Sequence, residues 1–294
     1  MRIFVTGATG FIGSTLTREL LSAGHTVLGL TRSDAGAQEL TADGAEVHRG
    51  SLEDLDSLRS GAASADAVIH TAFNHDFSKF KQNSEMDGRA IEVLGETLAG
   101  SARPLIVTSG VALVAQGRPA TEDDPPAPVS PTFPRVSEHA AAAAEKRGVK
   151  TIVIRLPQVH DTNKQGLVSF AIQIAREKGY AAYIGEGQNR WAAAALPDAV
   201  KVYQLALERG QAGARYHAVD EEGVRAKDIA EAIGRGLHIP VRSVSQDEAG
   251  EYFGWLAPFA AMDLTARSEK TRKELGWNPT GPTLLTDLGN MRYS

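Results

Sequence analysis

The chain has 294 residues, 42% of them apolar and 23% charged, which suits one large α/β unit or a core with a modest second lobe. Lys and Arg number 31 against 36 Asp and Glu, a net charge of −5, so nucleic acid with its demand for a basic face is not an expected partner. With 0 cysteines, disulfides and thiol catalysis are excluded. Arg2 to Thr6 already read as a core strand, which leaves no room for a signal peptide, and no apolar run approaches the ~18 residues that span a bilayer. A cytoplasmic protein without a membrane segment is the expectation.

Strands then alternate with helices, the pattern of a parallel sheet covered on both faces. The predicted strands are Ile3 to Thr6, Thr26 to Thr31, Ala45 to His48, Ala67 to Thr71, Leu105 to Thr108 and Thr151 to Arg155. Ile12, Leu16 and Leu20 give the first helix, which stops at Gly24, and Ile91, Leu94 and Leu98 give another that ends near Gly100. After Arg155 the rhythm loosens into short segments, including Asp198 to Glu208, Lys227 to Gly234 and Ser268 to Leu275. The expected organisation is a dinucleotide-binding unit over residues 1–157. Residues 158–294 form mostly a small substrate lobe, with some segments returning to the core.

One stretch breaks the alternation. Pro119, Pro125, Pro126, Pro128, Pro131 and Pro134 are six of the chain's 13 prolines, with Thr121-Glu122-Asp123-Asp124 among them. Lost donors and restricted predecessors predict a stiff, extended surface loop. It is either a solvated connector or a lid beside the cleft.

The strongest motif is Thr6-Gly7-Ala8-Thr9-Gly10-Phe11-Ile12-Gly13, between the first strand and first helix. Gly7 permits the tight turn, Gly10 lets backbone amides approach a pyrophosphate, and Gly13 lets the helix lie close on the sheet. Those amides and the helix dipole make an anion site. At the second strand's end, where an NAD site places an acid, stand Thr31, Arg32 and Ser33. An arginine fork suits a 2′-phosphate, so NADP(H) is favoured over NAD(H).

The T-G-x-x-G-x-x-G spacing resembles that of the extended short-chain dehydrogenase/reductases, which include sugar-nucleotide epimerases and dehydratases. Further segments match in order: Gly50 to Asp54, His70-Thr71-Ala72-Phe73, Val107 to Gly110, Arg155-Leu156-Pro157-Gln158 and Leu275 to Pro279. The resemblance implies a Rossmann-type, doubly wound parallel sheet with a small C-terminal substrate lobe. It implies cofactor contacts at Gly7, Thr9, Gly10, Phe11, Ile12, Gly13, Thr31, Arg32, Ser33, Ser51, Leu52, Thr71, Ala72, Phe73, Ser109, Leu156, Pro157 and Gln158. Ser51 stands where the family usually has an acid.

The chain departs from the family at its chemistry. The family's Y-x-x-x-K pair is missing: none of the 6 tyrosines precedes Tyr180, and none has a lysine four positions on. By register Pro134 takes the tyrosine position, Glu138 the lysine and Gly110 the serine, so the chain resembles the atypical members. Two histidines beyond strand ends, His160 and then His75, are the candidate proton donors, with loop capping as the alternative. No zinc motif, P-loop or nucleophile elbow occurs. After Pro134, Ser137 is the expected helix N-cap, and Ala140 to Ala144 suit either interior packing or a homodimer face. Arg190 is a candidate phosphate holder, and Trp191 with Ala192 to Ala195 a candidate apolar pocket wall. The function expected is NADP(H)-dependent reduction of a small, fairly apolar carbonyl, imine or activated alkene. A non-catalytic NADP sensor and a sugar-nucleotide epimerase or dehydratase are the alternatives.

Overall fold

Residues 1–112, 114–131 and 133–293 are described in a computed structural model. The first half of the chain builds β1 (Arg2–Thr6), α1 (Phe11–Ser22), β2 (Thr26–Thr31), α2 (Asp34–Asp43), β3 (Glu46–Arg49), α3 (Leu55–Ala63), β4 (Ala67–His70), α4 (Phe80–Leu98), β5 (Pro104–Gly110), α5 (Ser137–Lys146) and β6 (Lys150–Leu156). It continues into β7 (Gln158–His160), α6 (Val168–Lys178), β8 (Ala181–Ile184), β9 (Arg190–Ala195), α7 (Leu196–Arg209), β10 (Arg215–His217), β11 (Glu221–Arg225) and α8 (Ala226–Leu237). The chain ends with β12 (Val241–Val244), α9 (Ala249–Phe253), α10 (Ala257–Ala260), α11 (Glu269–Leu275) and α12 (Leu284–Asn290).

A seven-stranded parallel sheet, in the order β10-β6-β5-β4-β1-β2-β3, carries the fold. All six strands expected from the sequence are in it. The seventh, β10, returns from the second half of the chain. The central strands are apolar throughout because both faces are covered. Ile3, Val5, Ile106 and Ile154 pack toward the side that holds Leu16, Leu20 and much of α7. Phe4, Val68, Leu105 and Val107 pack toward Leu58, Ile91 and Leu94. Each such buried side chain contributes about 1.5–3 kcal/mol. The strand order reverses between β1 and β4, and a crevice opens there beyond the carboxyl ends of the strands.

The lobe has its own small sheets, β11-β9-β7 and β12-β8, with a separate core of Val168, Ile172, Ile229, Ile233 and Leu288. α7, β10 and α11 belong to the main sheet's packing: Tyr203, Tyr216, Leu275 and Trp277 are all in its core. Among the described residues no helix is long and apolar enough to cross a membrane.

Three local expectations need correction. Ser137 does not cap α5; the N-cap is Val136, and the Ser137 hydroxyl donates instead to Asp87. The proline-rich loop is not a solvated connector along its first half. Ala120, Glu122 and Asp124 are buried, Glu122 accepts from the Thr271 amide and hydroxyl, and Arg155 donates to the Thr121 and Asp124 carbonyls. Trp191 and Ala192–Ala195 are strand β9, at most 5% exposed, and so are core rather than pocket wall. In α5, Ala140, Ala141 and Ala144 are buried, with Ala144 lying where a side chain on Gly95 of α4 would sit. Packing on α4 accounts for these three alanines; a dimer through α5 would have to use the half-buried Ala142 and Ala143.

Candidate active site

The glycine turn lies at the switch point. Gly7 adopts φ 71°, and a Cβ there would meet the backbone of Ala72 at 2.8 Å. A Cβ on Gly13 would fall 1.9 Å from the Gly7 carbonyl oxygen, so only glycine lets α1 start this close to β1. Gly10 differs: its amide closes the turn onto the Gly7 carbonyl at 2.8 Å, and its Cβ position is otherwise open. No side chain caps α1. The amides of its first turn are thus left for an anion, which is the fit a dinucleotide pyrophosphate needs. Thr9, Phe11 and Ile12 flank this opening and are half-buried.

Around the turn the expected contacts divide by what already occupies them. The Thr71 hydroxyl donates to the Thr6 carbonyl at 2.8 Å, and Ala72 and Phe73 follow at the rim. At the adenosine end Arg32 is exposed and, among the described residues, has no carboxylate within 4.0 Å. The Ser33 hydroxyl accepts from the Gly36 amide and caps α2, and Thr31 is buried beneath it. Arg49, at the end of β3, pairs with Asp34 at 2.6 Å and brings a second arginine here that the sequence reading passed over. Ser51 accepts from the Glu53 amide, and Leu52 packs on the core. Ser109 is buried at the end of β5, and Leu156 and Pro157 are half-buried at the end of β6. The Gln158 side chain turns away and accepts from the Leu167 amide at 2.8 Å.

The two histidines part company. His160 is 0% exposed; its Nδ1 donates to Asp287 at 2.7 Å, and its Nε2 lies 3.9 Å from Glu221 with no hydrogen-bond partner. A group with no accessible atom has no path to a ligand, so His160 belongs to the lobe's interior and is withdrawn as a proton donor. His75 stays at the rim, edge-on to Phe73 and Phe77. Desolvation, then the charges of Arg135 and Lys164, hold its pKa below the usual histidine value, so it is neutral at pH 7. Lys164 reaches over the Phe11 ring from the lobe, 5.5 Å from its centroid.

Pro134 and Glu138, expected by register to stand at the family's tyrosine and lysine positions, have surroundings of their own. Pro134 is buried. Glu138 turns into the protein and takes Arg155 with both oxygens, at 2.9 and 2.8 Å, with Arg155 0% and Glu138 7% exposed. Between them, Arg135 donates from Nε to Ser137 Oγ (2.9 Å) and from Nη2 to the Thr108 carbonyl (3.2 Å), lying 4.6 Å from the centroid of Phe73. Ser137 donates to Asp87, and Asp87 accepts from His70 Nε2 at 3.0 Å. His70 Nδ1 faces the Thr6 hydroxyl at 2.8 Å. None of these four supporting residues is more than 1% exposed. Sequence reading missed Arg135 because nothing in its neighbourhood marks it; the Thr6, His70, Asp87 and Ser137 chain is linked by bonds between residues 64, 17 and 50 positions apart, which only the fold brings together. Arg190 is paired with Asp263 at 3.7 Å on the lobe.

A doubly wound parallel sheet with an uncapped glycine turn at its switch point defines a dinucleotide-binding α/β protein. The comparisons agree in detail: the NAD dependent epimerase/dehydratase family matches residues 3–220, and the chain belongs to it. An uncharacterized protein of Schizosaccharomyces pombe is 46% identical, covering 100% of both chains, and one of Saccharomyces cerevisiae is 40% identical over 98% of each. A ketoreductase of Stigmatella aurantiaca acting on a farnesylated dihydroquinoline oxide is 25% identical, covering 94% of this chain and 92% of its own. Among solved structures, a dTDP-glucose 4,6-dehydratase of Streptomyces venezuelae with NAD bound superposes with a TM-score of 0.80 at 20% identity, covering 100% of this chain and 96% of that one. That likeness is one of fold.

Proposed function

We propose that the protein is an NADPH-dependent oxidoreductase that reduces a C=N or activated C=C bond of a small organic molecule. The observation that carries this reading is the uncapped amide turn at the switch point, joined to an adenosine end with Arg32 free and no acid closing β2. The amides of Phe11 and Ile12 would hold the pyrophosphate beneath the charge of Lys164, and Arg32 with Ser33 the 2′-phosphate. Ser51 and Leu52 would flank the adenine. Thr71, Ala72, Phe73, Ser109, Leu156, Pro157 and the Gln158 backbone would line the remainder. When bound, the dinucleotide supplies the hydride.

The residues around the reacting end set the choice of substrate. Reducing a ketone leaves an alkoxide that needs an acid in the transition state. Here the tyrosine position is Pro134, His160 is sealed off, and His75 is held neutral. A neutral imidazole donates a hydrogen bond and does not readily give up a proton. An iminium, or an alkene whose charge spreads to a distant oxygen, asks less of such a site.

The test is loss of NADPH absorbance with matched cyclic imines, enones and ketones. Turnover of imines or enones with ketones inert supports the reading; efficient ketone reduction overturns it. Glu138, locked onto Arg155 where the family has its lysine, favours one second reading, a dinucleotide sensor without turnover. NADPH binding with no activity across the panel selects it. Pro134 and Glu138 oppose a sugar-nucleotide epimerase or dehydratase.

A further inference from the structure

Arg135 stands beyond the carboxyl ends of β4 and β5, against Phe73 and the Thr108 carbonyl. Its two hydrogen bonds run to a backbone carbonyl and to a serine that is itself anchored by Asp87 and His70 in the core. Its guanidinium lies against Phe73, directly beyond β4, and it helps line a narrow hollow with Ser109, Gly110 and Phe133 at the end of β5. A guanidinium has five N–H donors, and these contacts use two. Among the described residues no carboxylate stands within 4.0 Å of it. A half-buried arginine with N–H donors that no described residue accepts, and with no described counter-ion, is an unfinished ion pair, because desolvating the charge is costly until an anion joins it.

The surface that runs outward from Phe73 is aromatic. His75, Phe77 and Phe80 follow on the same segment, and Phe77 stacks on Trp255 of the lobe at 4.5 Å and 11°. Trp255 is 40% exposed, one of the few large apolar side chains left open to solvent. A flat apolar body suits this surface, since ring faces gain both buried area and favourable stacking there. Arg135 and Lys164 both bring positive charge to this end of the surface, beside His75.

We propose that Arg135 determines substrate choice, and that the substrate is a flat, unsaturated carboxylate whose anionic end takes the open N–H edge of Arg135 while its apolar body lies on the Phe73 to Trp255 surface. This rests on the cleft being a dinucleotide-dependent active site; the anion-holding role of Arg135 itself does not.

Calorimetry of three acid and amide pairs tests it: benzoate and benzamide, cinnamate and cinnamamide, 2-naphthoate and 2-naphthamide, each titrated with and without saturating NADP+. At least one carboxylate is expected to bind roughly tenfold or more tighter than its amide, the worth of one charge-assisted fork. Arg135→Gln should bring that ratio near one, and Arg135→Lys should keep part of it. Amides that match their acids in all three pairs overturn the proposal, as does a preference that survives Arg135→Gln. Melting curves and NADP+ affinity of Arg135→Gln verify that the fold stands. If NADP+ fails to bind the unaltered protein while the carboxylate preference holds, the enzyme reading falls and the Arg135 site remains.

Discussion

The glycine turn and the Pro134–Glu138 segment stand at two edges of one cleft, and they are built on opposite principles. The turn binds through backbone amides, which every residue carries, and the geometry is protected by steric contacts at Gly7 and Gly13 that no other residue meets. The segment at the other edge works through side chains. Here those are a buried proline, a carboxylate pointing inward and an arginine braced by a buried hydrogen-bond chain.

The sharpest way to break that contrast is to write the family's residues back. Arg155 is fully buried, and Glu138 meets both its Nε and Nη2. Removing one partner of such a pair leaves an uncompensated buried charge and costs about 3–5 kcal/mol. Glu138→Lys is worse than a deletion, since it sets two cations together. On the order of 10 °C should be lost in Tm. Pro134→Tyr with Glu138→Lys is therefore expected to destabilise the protein without conferring ketone reduction. A stable double variant that reduces ketones would show that the segment has changed little beyond two side chains.

The same cluster predicts a pH dependence. His217 is fully buried, its Nδ1 donates to the Arg267 carbonyl at 2.8 Å, and its Nε2 accepts from Arg155 at 3.3 Å. Desolvation, then the Arg155 charge, push its pKa down to about 4 from 6.5. Between those values the unfolded chain binds more protons than the folded one. Stability should be fully present above pH 6.5, fall as pH drops toward about 4, and level off below. The loss can reach about 3 kcal/mol. Urea unfolding at stepped pH measures it, and His217→Gln should flatten the slope over this window. An unchanged slope in that variant would assign it to other groups.

At the turn, Gly10→Val and Gly13→Val separate binding from folding. The Gly10 site is open apart from the Gly7 carbonyl at 3.1 Å, so valine there fills the space of a pyrophosphate without disturbing the core. Dinucleotide affinity should fall roughly 100-fold, about 2.7 kcal/mol, with Tm nearly unchanged. Gly13→Val should lose both. Equal behaviour of the two variants would mean that the turn is a packing device and not an anion site.

How much was legible beforehand follows the same division. Alternation of apolar runs and the glycine spacing located six strands and the switch point, because local periodicity reports local burial. β10 was missed: three residues after a loop carry no periodic signal, and its place beside β6 is decided by tertiary packing. The Trp191 to Ala195 run read as a pocket wall because small apolar residues suit either a cavity or a crowded sheet. His160 looked catalytic from its strand-end position, yet its partner Asp287 lies 127 residues away, beyond any sequence window. Arg135 and its support chain were illegible for the same reason.

The smallest expected effect concerns which dinucleotide the turn serves. Arg32 is exposed and, among the described residues, has no acidic partner, whereas nearby Arg49 is already held by Asp34 at 2.6 Å. A charge-assisted contact from Arg32 to a 2′-phosphate is worth about 1.5 kcal/mol at an exposed site, a little over tenfold in affinity. NADPH should therefore bind about tenfold more tightly than NADH in low salt, and the margin should shrink as salt screens the exposed charge. Arg32→Asp should erase or reverse the preference by repelling the phosphate, while leaving NADH affinity and Tm almost untouched. If the unaltered protein prefers NADH, the 2′-phosphate has no partner here and Arg32 is a surface residue. If Arg32→Asp weakens both dinucleotides equally, its charge acts on the pyrophosphate at long range and the adenosine end does not discriminate.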